Sequence, residues 1–225
     1  MLLDLLATNN WERPVYWAMT VTSTKYFNLQ KYFKLDGLTY QLVPVEADSE
    51  RFYVGEVDAD VMFENLMNKF KWGGIGERDI YLDENNIRMF SNMRSNFGRL
   101  AEKLIEEGKQ DSAIMVLDRC MELFPEEIIP FNNTLLTVIS AYYHAGNMEK
   151  ANHLAERLSN IMVEELDYYS SLDSEFKTGP RDINREIQTG LYVLQELYSI
   201  TSKNNQSEVS KQIEQQFMKY MQQYR

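Results

Sequence analysis

The chain has 225 residues, a formal net charge of −11 at pH 7 and a sequence pI near 4.8. Nucleic-acid-binding proteins neutralise phosphates with lysine and arginine, and anionic membrane surfaces attract basic segments, so the acidic charge argues against both partners. The single cysteine, Cys120, excludes an internal disulfide. Apolar residues make up 44% of the chain, enough for a core, but no stretch approaches the roughly 20 apolar residues of a membrane span.

The chain opens on an apolar, helix-like pattern at Leu2–Leu6. This segment lacks the basic and apolar regions of a signal peptide. We therefore expect the pattern to continue an upstream part of a longer protein.

Two strands are predicted in the first 82 residues. Val15–Thr20 is rich in β-branched and aromatic residues, and Leu38–Val43 alternates apolar and polar positions. Asp36-Gly37 is a turn signal directly before the second strand. We expect a small mixed α/β region over residues 1–82.

A helix is predicted over Val61–Phe70 from the spacing of its apolar residues, with Asp60 as its N-cap. Trp72–Gly76 contains three glycines and predicts a loop. This loop lacks the Lys-Ser/Thr pair of a phosphate-binding loop.

Residues 83–225 carry helical periodicity and a repeat typical of tetratricopeptide units of about 34 residues. With Pro125 as the terminal proline, Gly108 falls on the turn between two helices. The other positions of the first unit are filled by residues of the expected size, namely Phe97, Leu100, Ala101, Leu104, Ala113, Leu117 and Cys120. Small residues are needed where helix axes approach closely.

A second unit follows 38 residues later, with Gly146 on its turn and Ala151 at the small site of its second helix. We expect Pro130 to start its first helix. A third helical hairpin has its turn at Asn204–Ser207, with Ser207 as a cap, and a loop containing Gly179-Pro180 precedes it. The predicted fold class is α+β, mainly α: a tetratricopeptide-like array over 83–225 with a mixed N-terminal cap over 1–82.

The sequence context of the candidate catalytic and metal-binding residues indicates structural roles. His144 and His153 are nine residues apart, unlike the i, i+4 pair of a helical zinc site. Cys120 lies at a small packing site, whereas a nucleophile needs a neighbouring base. Asp58 and Asp60 resemble a metal–nucleotide acidic pair, but acidic residues are also common where helices begin. We therefore predict no catalytic residue, cofactor or metal.

Aromatic residues supply the candidate binding positions. The pairs Tyr142-Tyr143 and Tyr168-Tyr169 could fill the core or line a concave groove for a peptide or sugar. The sequence leaves these two alternatives about equally open.

Four strings in the first half carry a family resemblance: 5–18 (LLATNNWERPVYWA), 32–44 (YFKLDGLTYQLVP), 65–74 (NLMNKFKWGG) and 80–86 (IYLDENN). They resemble the soluble C-terminal region of a multi-spanning membrane protein family of Bacteroidetes that is likened to protein O-mannosyltransferases. In that family such strings follow the last membrane span and lead into tetratricopeptide-like helices.

The resemblance implies that the parent is a membrane glycosyltransferase and that this part faces the periplasm. The catalytic acids of such enzymes lie in an early loop between membrane spans, so the resemblance transfers no catalytic residue here. The expected function is a non-catalytic accessory domain that binds a protein or peptide acceptor or braces the parent's membrane domain.

Two alternatives remain at this point. One is a stand-alone enzyme that uses Asp58, Asp60 and Glu64, and the other is a cytoplasmic peptide-binding adaptor.

Overall fold

A computed structural model describes residues 2–46, 54–75, 80–172 and 183–224. It has an α+β, mainly α fold. The chain forms two compact units, Met1–Gly73 and Gly74–Arg225. Within the four described ranges, no helix is both long enough and apolar enough to cross a membrane.

The first unit contains a short helix, a mixed four-stranded sheet and a second short helix. The strands run in the order β1-β3-β2-β4, with β2 and β4 parallel and the other pairs antiparallel. The elements are α1 (Leu2–Asn9), β1 (Tyr16–Ala18), β2 (Phe33–Leu35), β3 (Thr39–Leu42), β4 (Glu56–Val57) and α2 (Ala59–Glu64). The two predicted strands are confirmed in shortened form, whereas β2 and β4 were missed because three and two residues are too short to show a period.

An aromatic cluster forms the core of this sheet. The ring of Phe33 lies 5.0 Å from Trp17, 5.3 Å from Tyr26 and 5.6 Å from Tyr40, measured between centroids. All four residues are buried. Offset and edge-to-face packing of this kind stabilises a core beyond its area burial.

The turn between β2 and β3 requires its glycine, as the Asp36-Gly37 signal predicted. Gly37 has φ +135°, and a Cβ there would come within 2.9 Å of the Phe70 ring. The side-chain amide of Asn65 donates to the carbonyl of Asp36 at 2.7 Å. The helical segment therefore packs directly on this turn.

The helix in this segment begins and ends differently from the prediction. Asp58, not Asp60, is the N-cap, because its carboxylate accepts from the backbone N–H of Val61 at 3.3 Å. The predicted single helix divides into α2 and a π-helical turn over Asn65–Lys69. The residues of the predicted loop that are described, 72–75, form neither helix nor strand, and Gly76 lies outside the described residues.

The second unit consists, over its described residues, of six helices arranged as three consecutive hairpins. Each hairpin packs on the next, through α3 with α5 and through α6 with α7. The helices are α3 (Glu84–Glu106), α4 (Gln110–Leu123), α5 (Leu135–His144), α6 (Met148–Ser171), α7 (Ile183–Lys203) and α8 (Ser207–Gln223). The helical prediction for this half is confirmed within the described ranges, and the predicted Gly179-Pro180 loop lies outside them.

The three hairpin turns share one geometry. Gly108, Gly146 and Asn205 have left-handed φ angles of +74°, +84° and +58°. In each turn this residue donates to the carbonyl three residues back, and the next residue donates to the carbonyl five residues back, at distances of 2.8–3.1 Å. This pattern is the Schellman motif, which satisfies the last carbonyls of a helix.

Two predicted helix starts are wrong. Pro130 lies in the connection between α4 and α5, and α5 begins only at Leu135 because the connection forms turns of its own over Pro125–Ile129 and Asn132–Leu135. The N-cap of α8 is Gln206, and Ser207 is already the first helical residue.

The first and second hairpins approach closely at Gly98. A Cβ on Gly98 would lie 2.8 Å from the backbone carbonyl carbon of Thr137 in α5. The predicted small packing residues Ala101, Ala113 and Cys120 are fully buried. Small side chains thus occur where helices of this unit contact one another.

Candidate functional site: an acidic groove between α4 and α6

The second unit contains a groove of about 710 Å³. One wall is the C-terminal half of α4, the opposite wall is the first half of α6, and the α4–α5 connection closes one end. Tyr142 is its one lining residue from α5. The groove therefore lies between the second helices of successive hairpins.

Five carboxylates line this acidic groove, from Asp118, Glu122, Glu126, Glu127 and Glu149. Among the described residues, two basic side chains line it, those of Lys150 and Arg157. Its formal charge with neutral histidine is therefore −3. Its sign matches the net charge of the whole chain.

Two of the five carboxylates form ion pairs across the groove. The ammonium of Lys150 lies 2.6 Å from a carboxylate oxygen of Asp118. The guanidinium of Arg157 contacts Glu126 through Nε at 3.0 Å and through Nη2 at 2.5 Å. The first pair therefore bridges α6 to α4, and the second bridges α6 to the α4–α5 connection.

A third carboxylate, that of Glu122, pairs with Arg119 on its own helix at 3.2 Å. Among the residues that the structure describes, Glu127 and Glu149 have no ion-pair partner within 4 Å. Both are exposed, and so is His153 beside them on α6. With Glu122 paired to Arg119, which lies outside the lining, these two carboxylates carry the charge that no ion pair offsets.

Apolar side chains lie between the charged ones. Phe131 and Leu154 are buried, and Met121 is half-buried. The buried ring of Tyr142 adds to this apolar surface, while its hydroxyl donates to Asp118 at 2.8 Å. Burial, followed by this hydrogen bond, raises the pKa of Tyr142 above its usual range, so the phenol stays protonated at physiological pH.

The connection that closes the groove is held by a buried arginine. The guanidinium of Arg94 donates to the carbonyls of Phe124 at 3.0 Å, Ile129 at 2.7 Å and Pro130 at 3.3 Å. It also lies 5.0 Å from the ring centroid of Phe131. Burial lowers its pKa to about 10, so Arg94 remains charged at neutral pH.

Sequence reasoning missed Arg94. The available signal was its position three residues before Phe97, on the apolar stripe of α3, where a charged residue is unexpected. A buried arginine needs acceptors, and the irregular connection supplies them as backbone carbonyls.

The four tyrosines predicted as binding residues occupy different surroundings. Tyr142 lines the groove. Tyr143 is buried in the core, where its hydroxyl donates to Asn152 at 2.6 Å and burial raises its pKa to about 12. Tyr168 and Tyr169 lie near the end of α6 with ring centroids 5.5 Å apart, and Tyr168 is 61% exposed. The structure therefore brings only one of the four to the groove.

The other candidate residues have structural contacts. Cys120 is fully buried, and burial raises the pKa of its thiol to about 12. His144 lies in the last turn of α5, where a cation is favoured, and its Nδ1 is 2.8 Å from Glu102. In the first unit, Asp58 caps α2 and the carboxylate of Glu64 accepts from Asn68 at 2.6 Å. Over the described ranges, no cluster of three or more histidine, cysteine, aspartate or glutamate side chains is placed to hold a metal ion.

Together these features define a mainly helical protein of stacked hairpins, with a small mixed unit before them. A family model described as TMEM260-associated domain 2 matches residues 1–61, which lie within the first unit. Neither the curated proteins nor the solved structures gave a significant match.

Proposed function

We propose that this chain is a non-catalytic accessory domain of a membrane glycosyltransferase-like protein. It binds a protein or peptide acceptor, or braces the membrane domain of its parent. The observation that carries this proposal is the match of residues 1–61 to TMEM260-associated domain 2. That segment includes two of the strings that resemble the soluble region of the O-mannosyltransferase-like family.

The helical unit supports a binding role, because stacked helical hairpins offer extended surfaces to partners. In all three hairpins a small residue, Ala113, Ala151 or Ser210, follows the left-handed turn residue by five positions and is buried. We therefore propose that the three hairpins form a tetratricopeptide-like stack, with the last one as its terminal cap.

The resemblance extends the proposal to location. The parent is proposed to be a membrane protein of Bacteroidetes, with this chain on the periplasmic face of the inner membrane. A reporter fused to the C-terminus of the full gene product tests this location. With alkaline phosphatase as the reporter, activity is the expected result, since it indicates a periplasmic C-terminus. Activity of a second reporter that works only in the cytoplasm would instead support the peptide-adaptor alternative.

The rival proposal, a stand-alone enzyme, depends on Asp58, Asp60 and Glu64. Asp58 caps a helix and lies 3.5 Å from Lys34, and Glu64 accepts a hydrogen bond from Asn68. These contacts give the two carboxylates structural roles.

Thermal unfolding with Mn²⁺ and a nucleotide-sugar mixture separates the two proposals. An accessory domain should keep its melting temperature. A ligand-dependent rise that is lost in the Asp58→Asn/Asp60→Asn variant would overturn the non-catalytic proposal. Glu208→Gln/Glu214→Gln on α8 is the matched control, since it removes two negative charges from the second unit, whereas Asp58 and Asp60 belong to the first.

A further inference from the structure

We propose that the acidic groove between α4 and α6 binds an extended polypeptide segment rich in lysine or arginine. This inference rests on the proposed function, which it deepens by naming the surface and the chemistry of the partner.

The uncompensated charge of the groove favours a cationic partner. Lys150 and Arg157 are already paired with Asp118 and Glu126, so they do not neutralise Glu127 and Glu149. Glu127 lies on the α4–α5 connection at the closed end of the groove, and Glu149 lies in the first turn of α6, on one wall. A basic segment lying between the walls can reach both carboxylates, whereas an acidic or phosphorylated one is repelled.

The apolar surface of the groove favours long basic side chains over a simple inorganic cation. Lysine and arginine bury their aliphatic stems on apolar surface while the charged head stays in water. Phe131, Leu154 and Met121 provide such a surface between the acids. A volume of about 710 Å³ accommodates several side chains.

Contacts within the protein itself define the shape of the groove. Arg94 holds the α4–α5 connection through three backbone carbonyls, and the two ion pairs bridge α6 to α4 and to the connection. A preformed site loses little conformational entropy on binding. The occupant is a different polypeptide rather than a second copy, because this chain contains no run of basic residues.

Fluorescence anisotropy with defined peptides tests the proposal. The probe is a dye-labelled peptide of about twelve residues, roughly 40 Å when extended, in which arginine alternates with leucine and serine. One comparison peptide has glutamate in place of arginine, and another has serine in place of leucine. We expect only the first peptide to bind well, with an affinity that falls as NaCl rises through the range where the Debye length shrinks from about 10 to 3 Å.

Paired variants locate the site. Glu127→Gln/Glu149→Gln should weaken binding roughly three- to tenfold, as expected for the loss of two partly exposed ion pairs. Glu208→Gln/Glu214→Gln removes the same charge from α8, where both residues are exposed, and should leave the affinity unchanged. Melting temperatures of both variants verify that the fold is retained.

Three results would overturn the proposal: absence of binding, equal weakening by the two variants, or equal binding of the serine-for-leucine peptide. The first result would show that basic peptides are not ligands. The second would show that binding is an unspecific attraction to an acidic chain. The third would show that the apolar side chains of the groove do not contribute to binding. None of them affects the accessory role, which is tested separately by the metal and nucleotide-sugar experiment and by the location of the C-terminal reporter.

Discussion

The Nη2 of Arg94 on α3 donates to the carbonyl of Ile129 in the α4–α5 connection at 2.7 Å. The two residues are separated by the whole of α4, yet this contact and two similar ones determine the path of the connection. The groove thus depends on a charge that lies outside it.

Replacing Arg94 by methionine should lower the free energy of unfolding by about 2–4 kcal/mol. Each buried carbonyl left without a donor costs about 1–3 kcal/mol. Part of this loss is offset because the variant no longer bears the cost of burying a charged guanidinium. Urea denaturation measures the change. Arg88→Met on the same helix is the control, since Arg88 is exposed and should change stability by less than about 0.5 kcal/mol. Equal effects of the two substitutions would contradict the role of Arg94.

Gly98→Ala should destabilise the protein by roughly 1–3 kcal/mol. Alanine is the better helix former by about 1 kcal/mol, but the new Cβ would lie 2.8 Å from the backbone of Thr137, which cannot move alone. Gly190→Ala is the matched control, because its Cβ would meet only the Leu166 side chain at 3.2 Å. Thermal melting should therefore show a clear loss for Gly98→Ala and a much smaller change for Gly190→Ala.

The shared geometry of the three hairpin turns predicts how substitutions there change stability. Gly108→Ala and Gly146→Ala should each cost about 1–2 kcal/mol, because a left-handed φ is unfavourable for a residue with a Cβ. Asn205→Gly should be neutral or slightly stabilising, since asparagine already bears part of that cost. Chemical denaturation of the three variants checks the pattern, and a marked loss in Asn205→Gly would show that the asparagine side chain has another role.

Cys120 should be unreactive in the folded protein. Its thiol is fully buried with a pKa raised to about 12, so thiol reagents at pH 8 should label it only after unfolding in urea. The thiol of the unfolded chain ionises near pH 8.5, whereas the folded thiol stays protonated up to about pH 12. The free energy of unfolding is therefore unaffected by this group below about pH 8.5 and falls as the pH rises from there to about 12. Cys120→Ala should lose less stability between pH 9 and 11 than the unmodified chain, and rapid native labelling would refute the burial.

The helix cap in the first unit separates Asp58 from Asp60. Asp58→Ala should lower stability by about 0.5–2 kcal/mol because it removes the acceptor for the Val61 N–H. Asp60→Ala, in the first turn, should cost less than Asp58→Ala, because it leaves the capping hydrogen bond in place and an acidic residue near a helix N-terminus contributes less than a cap. Thermal unfolding of the single variants compares them, and a larger effect at Asp60 would restore the original assignment of the cap.

The sequence by itself determined the helical hairpins and their turns. Helical periodicity and a glycine with left-handed backbone are local properties, so α3 to α6 and the turns at Gly108 and Gly146 could be predicted from neighbouring residues. The turn of the third hairpin was also predicted, at Asn204–Ser207, but Asn205 was not singled out as its left-handed residue because asparagine adopts this conformation less often than glycine. The two-residue β4 was missed because it is too short to show a period and because its pairing with β2 is long-range.

Only the tertiary structure decided where the groove lies and what holds it. Glu127 and Glu149 are separated in sequence by α5, and Arg94 precedes both. Long-range packing brings α4, the connection and α6 together, and no local pattern encodes which carboxylates are then paired and which are not. Both Tyr142 and Tyr143 are buried, but the same packing turns only Tyr142 toward the groove, because adjacent residues on a helix point about 100° apart.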